Sequence, residues 1–448
     1  MKKKTGIYIH IPFCKSKCVY CDFLSARPED DDQIKRYISS LAEEIREKAE
    51  RIPADLKTVD SVFFGGGTPT LLDAGELIFI LEELGKGFEI TEDAEITIEC
   101  NPGMVGRTYC QEDETALKPG YNKGRAQQEE FEKLRAAGVN RISFGLQSAS
   151  DRELKVLGRI HRFQDFKDTF AAARAAGFKN INADIISAIP GQTIESFRET
   201  LKQVTELEPE HISCYSLILE EGTRLFEHLD EFPPLPDEDM EREMYHLARE
   251  FLKAKGYEQY EISNFCRIVT KPEGSGLYGN PIAGNGNPCG NNTGCNRRSG
   301  DEEIREQGFV SESSGDYRCR HNLGYWDRAV YFGFGAGAAS FDGRVRYKNV
   351  SDTEEYIKKT GSKEDISQRE VLTKEDTMAE FMFLGMRKTK GVSGKVFFDS
   401  FGVTIDSVYG DILKAQVKQG LIEKTKEGYA LTGKGTDVSN SVMAEYMF

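Results

Sequence analysis

Residues 6–23, GIYIHIPFCKSKCVYCDF, lead a short β-branched strand directly into three cysteines, Cys14, Cys18 and Cys21, spaced C-x3-C-x2-C. Strand alternation puts Tyr8 and His10 on one face. Three thiolates in one loop can surround a single small object. An ordinary electron-transfer cluster takes four cysteines, so three ligands leave one iron with an open position, the logic that separates catalytic from closed zinc sites. A zinc ion completed by His10 is the competing arrangement, although zinc commonly takes C-x2-C pairs. Ten cysteines occur in all, and the crowding of three of them favours a metal over disulfides in a reducing compartment.

Working outward from that loop, β-branched runs alternate with helical periodicity as far as Thr223, the pattern of parallel strands with crossover helices. Six strands are predicted, at Gly6 to Ile11, Ser61 to Phe64, Glu95 to Glu99, Arg141 to Gly145, Asn180 to Ile186 and His211 to Leu217. Ile34, Ile38, Leu41, Ile45 and Ile52 form a helical stripe behind the acidic cap Asp30 to Asp32. In α/β barrels the chemistry sits at the carboxyl ends of the strands, and all six ends here are unusual. They run into the cysteines, Gly65 to Thr70, Glu99-Cys100-Asn101-Pro102, Gly145-Leu146-Gln147-Ser148, Asp184 with Pro190-Gly191-Gln192, and Cys214-Tyr215-Ser216. Together they predict one active-site rim.

The chain has 448 residues, enough for about two to four domains. Its 59 basic and 74 acidic residues leave a net charge of −15, which opposes loose association with nucleic acid or anionic lipid. Apolar runs such as Tyr331 to Phe341 fall short of the roughly 18 residues a membrane span needs. The basic start, Met1 to Lys4, leads to no secretory signal, so a cytosolic protein without stable membrane insertion is expected.

The expected organisation is a partial barrel over 1–225 with an insertion near 106–127, a capping region over 226–350, and a mostly helical, winged-helix-like domain over 351–448. Residues 267–318, rich in Gly, Asn, Arg and Glu, predict a loosely ordered insertion. The last domain shows no Lys/Arg cluster of the kind that binds DNA.

The C-x3-C-x2-C spacing with Tyr20 before the third cysteine resembles that of the radical S-adenosylmethionine (SAM) enzymes. Tyr8 to Cys14, Gly65 to Thr70, Phe144 to Gln147, Leu157 to His161 and Ile189 to Gln192, in that order, resemble the group that contains oxygen-independent coproporphyrinogen III oxidase and its heme-chaperone relatives. The resemblance implies a partial (β/α)6, TIM-like radical-SAM barrel and a 4Fe-4S cluster on Cys14, Cys18 and Cys21. It also implies SAM on the open iron, cleavable by the reduced cluster to a 5′-deoxyadenosyl radical. Gly66 and Gly67 suit close backbone approach to a ligand. Glu99 and Asp184 offer acceptors for an amine and ribose hydroxyls, Gln147 a donor or an acceptor, and Arg159 a fork for a carboxylate. By the same resemblance Tyr8, Thr68, Ser216 and Ala339 lie near SAM.

The oxidase pattern adds a cysteine two residues beyond the third and a segment before the first strand, whereas here Asp22-Phe23 follows Cys21 and only Met1 to Thr5 precede the strand. His321-Asn322-Leu323-Gly324-Tyr325-Trp326 matches the H-N-x-x-Y-W pattern of the chaperone branch. That branch implies heme as a ligand, His321 as a candidate axial ligand, and apo-hemoproteins such as membrane respiratory enzymes as partners. A homodimer stays open. The alternative is oxidative decarboxylation of coproporphyrinogen propionates to vinyl groups.

Overall fold

The computed structural model describes residues 4–106, 123–268, 316–360 and 366–447. Most of both expected insertions, 106–127 and 267–318, therefore lies outside the described residues.

Six parallel strands are laid down in chain order: β1 (Thr5–Ile11), β2 (Thr58–Gly66), β3 (Glu89–Cys100), β4 (Arg141–Gln147), β5 (Ile181–Ser187) and β6 (His211–Ser216). The crossovers hold α1 (Asp31–Arg51), α2 (Ala74–Gly87), α3 (Lys123–Ala136), α4 (Asp151–Val156), α5 (Phe163–Ala175) and α6 (Ile194–Glu206). Strand alternation divides the residues between two faces. Ile7, Ile9 and Ile11 share a fully buried apolar core with Ile34, Leu41 and Ile45 of α1. The opposite face carries Tyr8, Phe63, Thr97, Glu99, Ser143, Asn182, Asp184 and Ser213, brought level by the parallel registers. The inside of the curved sheet is thus polar and aromatic, and its outside is aliphatic.

Asp30 caps α1 by accepting from the Gln33 N–H at 2.8 Å, satisfying one of the donors a helix start leaves unpaired. Tyr37, fully buried on that helix, donates to the His10 carbonyl and accepts from the Ala336 N–H.

The sheet continues past six strands. After α7 (Arg224–Glu227) and α8 (Glu238–Ala254), β7 (Tyr257–Gln259) and β8 (Asn264–Arg267) add antiparallel strands beside β6. At the other edge β9 (Val330–Phe334) runs parallel to β1, followed by β10 (Ala339–Phe341), β11 (Val345–Asn349) and β12 (Ile366–Val371). The resulting order is β12-β11-β10-β9-β1-β2-β3-β4-β5-β6-β8-β7. A seventh parallel strand, β9, thus lies in a stretch expected to cap the barrel. Lys48 of α1 ties this edge down from a buried position, bonding Glu44 Oε1 at 2.6 Å and Asn349 Oδ1 at 2.9 Å.

Below β1 and β2, α9 (Arg320–Trp326) closes the amino-terminal ends of the strands, and α10 (Thr353–Lys359) packs on α1. A second core, built on Met378, Met382, Phe397, Tyr409 and Leu413, holds the carboxyl-terminal elements. These are α11 (Lys374–Gly385), β13 (Val392–Ser393), α12 (Gly394–Phe401), α13 (Ile405–Gln419), β14 (Ile422–Lys424), β15 (Gly428–Leu431), α14 (Gly433–Asp437) and α15 (Ser439–Ala444). The three strands pair as β13-β15-β14, in winged-helix order. Among the described residues no helix is long and apolar enough to cross a membrane.

Candidate functional site

The carboxyl ends of β1 to β6 surround a cavity of about 320 Å³. Its wall holds Cys14, Cys18, Tyr20 and Cys21 from the loop after β1, Gly66 ending β2 with Gly67 and Thr68 behind it, Glu99 on β3, Gln147 on β4, Arg159 after α4 and Asp184 on β5. Eleven predicted site residues therefore meet in one place.

The cysteine loop is held from both sides. The Cys14 N–H donates to Ala26 O and the Ala26 N–H to Pro12 O, each at 2.9 Å. The Gly67 and Thr68 N–H groups donate to Ile11 O and Phe13 O, each at 2.8 Å. A side chain at Gly67 would place its Cβ 2.6 Å from Phe13 O, so β2 reaches the loop this closely only with glycine there. Thr68 Oγ1 lies 3.5 Å from Cys14 Sγ and accepts from Asn101 at 2.6 Å.

Arg159 is the buried cation beside the cysteines. One Nη donates to Cys18 Sγ at 3.4 Å, the other to Asn101 Oδ1 and to the Gly145 carbonyl, and its buried Nε has no hydrogen-bond partner. A guanidinium beside thiolates favours their charged form. Burial works the other way, raising the Cys14 thiol and pushing Cys21 up to about 11. Opposite these groups, burial and the neighbouring Asp184 charge push Glu99 up to about 8. Asp184 is also raised by burial, while Asn182, donating at 2.7 Å, and Ser213 partly counter this. Gln147 takes a left-handed backbone, φ 76°, at a register shift in β4 that turns it into the cavity, where its Oε1 accepts from Tyr215.

Cys14, Cys18 and Cys21 line one cavity, and three thiolates are the donor set that an iron–sulfide cluster takes. His10 does not complete a zinc site, because its nitrogens engage Leu24 O at 2.8 Å and Tyr8 OH at 3.1 Å. Burial pushes it down to about 4, leaving a neutral ring. The unpartnered Arg159 Nε and the carboxyl pair of Glu99 and Asp184 fit a ligand with both carboxylate and ammonium groups.

Four predicted residues lie elsewhere. Tyr8 sits under Glu99, since a Cβ on Gly65 would meet both side chains at 3.1 Å, but it does not line the cavity. Ser216 bonds Ser187 at 3.3 Å; alternation points its neighbour Tyr215 into the cavity instead. Ala339 lies on β10, outside the cavity wall and paired with Lys348. His321 is buried at the opposite end of the strands, with Nδ1 on Ser61 Oγ at 3.2 Å, Nε2 on Tyr325 OH at 3.0 Å, and Phe63 stacked on its ring. Both nitrogens engage protein groups. Asn322, its neighbour, does reach the cavity. Asn101, Ser143, Ser213 and Tyr215 also line the cavity, and period-two counting along β3, β4 and β6 identifies them.

The fold and the site together define a radical SAM protein, and the comparisons agree. The Radical SAM superfamily model matches residues 8–204, and the HemN C-terminal domain model matches residues 372–438. The solved coproporphyrinogen III oxidase (HemN) of Escherichia coli superposes with a TM-score of 0.73 at 21% identity, covering 100% of this chain and 90% of that one. The chain is 32% identical to the heme chaperone HemW of Bacillus subtilis (strain 168) over 98% of both chains. It is 28% identical to the HemW of Escherichia coli (strain K12), over 99% of this chain and 98% of the relative. The chain belongs to the heme chaperone HemW family.

Proposed function

We propose that the protein is a cytosolic heme chaperone, which binds heme and a SAM-ligated 4Fe-4S cluster and delivers heme to apoproteins such as respiratory enzymes. The observation that carries this reading is the 32% identity to a heme chaperone over 98% of both chains. The loop agrees with it, since an exposed Phe23 stands two residues beyond Cys21, where the oxidase pattern has a cysteine.

In this reading Cys14, Cys18 and Cys21 hold three irons and Arg159 offsets the charge of their thiolates. A bound, reduced cluster would supply an electron to SAM. Gly66, Gly67 and Thr68 bring backbone against the ligand, and Glu99, Gln147 and Asp184 receive its amine and hydroxyls. With its carboxyl pushed up to about 8 by burial and Asp184, Glu99 keeps its proton at neutral pH and releases it when an ammonium group arrives.

The test is anaerobic turnover. Cluster-loaded, reduced protein is incubated with SAM and coproporphyrinogen III, and the porphyrin products are separated by mass. The chaperone reading predicts no two-vinyl product from protein that binds stoichiometric heme. Many turnovers to that product would replace it with oxidative decarboxylation.

A further inference from the structure

A hydrogen-bonded chain runs through the barrel interior from Asp184 to the start of α9. Asn182 and His211 are register partners on β5 and β6. Each stands two positions before a residue of the cavity wall, Asp184 or Ser213, and so on the same inward face. Asn182 Nδ2 donates to Asp184 Oδ1 and to Ser143 Oγ, both at 2.7 Å. Asn182 Oδ1 lies 2.6 Å from His211 Nδ1, and His211 Nε2 lies 2.7 Å from Tyr260 OH. Tyr260, in the turn between β7 and β8, accepts from the Cys319 N–H at 3.1 Å, and Cys319 is the N-cap of α9. Asn182, His211 and Tyr260 are all buried.

The chemistry of the groups fixes the direction of every bond. An ionised carboxylate only accepts, so the Asn182 amide turns its nitrogen to Asp184 and its oxygen to His211. His211 Nδ1 must then carry the ring proton. Burial and the Arg141 cation hold this imidazole well below its ordinary pKa, so it has no second proton, and Nε2 accepts from the Tyr260 O–H. The hydroxyl oxygen is left for the Cys319 N–H. Turning any one member breaks its bond to the next, and a buried polar group left without a partner is costly. Of the four side chains, Asp184 is the one that lines the cavity. At the far end Asn322, three residues beyond Cys319, lines it as well, so the chain begins and ends on one wall.

Resting on the reading of this cavity as a SAM site, we propose that His211 is a positioning residue for the ligand's ribose. Through Asn182 it fixes the orientation of Asp184, whose remaining lone pairs accept from the ribose hydroxyls, and Tyr260 fixes the tautomer that lets it do so. His211 itself lies outside the cavity wall. Without its Nδ1 proton nothing holds the Asn182 oxygen in place except Ser213, which donates to it at 3.2 Å. The amide can then turn its oxygen toward the carboxylate, and the repulsion swings Asp184 away from the hydroxyls. None of the chain's bonds involves the thiol of Cys14, Cys18 or Cys21, so cluster assembly is independent of it.

The experiment compares SAM with its 2′,3′-dideoxy analogue by anaerobic calorimetry on the full-length, cluster-loaded protein, with iron per chain as the control. The unaltered protein is expected to prefer SAM by about tenfold or more. His211→Leu is expected to bind SAM about tenfold more weakly and the analogue as before, so the preference disappears at unaltered iron content. His211→Asn, which keeps an N–H donor near the place of Nδ1, is expected to restore it. Tyr260→Phe is expected to reduce the preference about threefold, and carries the test should His211→Leu not fold. An undiminished preference in a folded His211→Leu, or in Tyr260→Phe, would overturn the positioning role. Equal weakening of both ligands would overturn it too, because that is what a merely structural residue gives. An unaltered protein that binds both ligands alike would take Asp184 away from the ribose and overturn the proposal. Failure to bind SAM at all would overturn the reading of the cavity, and the role of His211 with it.

Discussion

Gly67→Ala puts the seating of the cysteine loop to a quantitative test. The added Cβ would lie 2.6 Å from Phe13 O and 2.9 Å from Ile11 O. Both are backbone atoms, so no side chain can swing aside. These are also the carbonyls that accept from Thr68 and Gly67, so relieving the clash loosens two hydrogen bonds and shifts the strand end that carries Cys14. Overpacking of this kind costs about 1–3 kcal/mol, and each weakened hydrogen bond about 1 kcal/mol more at most, so a loss of about 1–5 kcal/mol is expected. Gly75→Ala is the control. It lies on α2 with nothing within 4 Å of the new Cβ, and should stabilise by about 0.5–1 kcal/mol through reduced backbone freedom. Urea unfolding of both variants, with iron and sulfide per chain after anaerobic reconstitution, reads both effects. The reasoning is refuted if Gly67→Ala matches the unaltered protein in stability and iron content.

Alanine at Cys14, Cys18 or Cys21 should remove bound iron, whereas alanine at Cys214, buried behind β6 with its thiol pushed up to about 12, should leave it unchanged; iron analysis separates them. Lys48→Met strands the buried Glu44 carboxylate at the β9 edge and should cost about 3–5 kcal/mol in denaturant unfolding. Glu99 gives a pH dependence whose sign follows from its raised value. Between the ordinary value of 4.5 and about 8 in the fold, the folded state keeps a proton that the unfolded chain has released. Its contribution to stability therefore falls as pH rises through that window. Denaturation midpoints at mildly acidic and mildly alkaline pH should show the decline, and Glu99→Gln should flatten it.

Much of the site was legible because it lies where chain-local rules act. A strand running into Cys14, Cys18 and Cys21, glycines where β2 meets that loop, and polar residues ending β3, β4 and β5 all point to one rim. The cap at Asp30 and the stripe from Ile34 to Ile45 likewise appear as expected. Ser216 rests on the resemblance alone, whereas alternation puts Tyr215 with Ser213 on the cavity face. The seventh strand was hidden because Gly333 and Gly335 interrupt its apolar pattern, while close packing against β10 and β1 requires those glycines. The surroundings of His321 were beyond chain-local reasoning, since its hydrogen-bond partner Ser61 is 260 residues away in sequence.

The most direct measurement of the central claim is heme transfer. Protein loaded with one equivalent of isotopically labelled heme is mixed with an apo-hemoprotein of the respiratory chain, and label is followed by separation and mass. The chaperone account predicts that label moves to the apoprotein faster in the presence of this protein than from free hemin, with the porphyrin unaltered. Retention of the label, or transfer no faster than from free hemin, would contradict it.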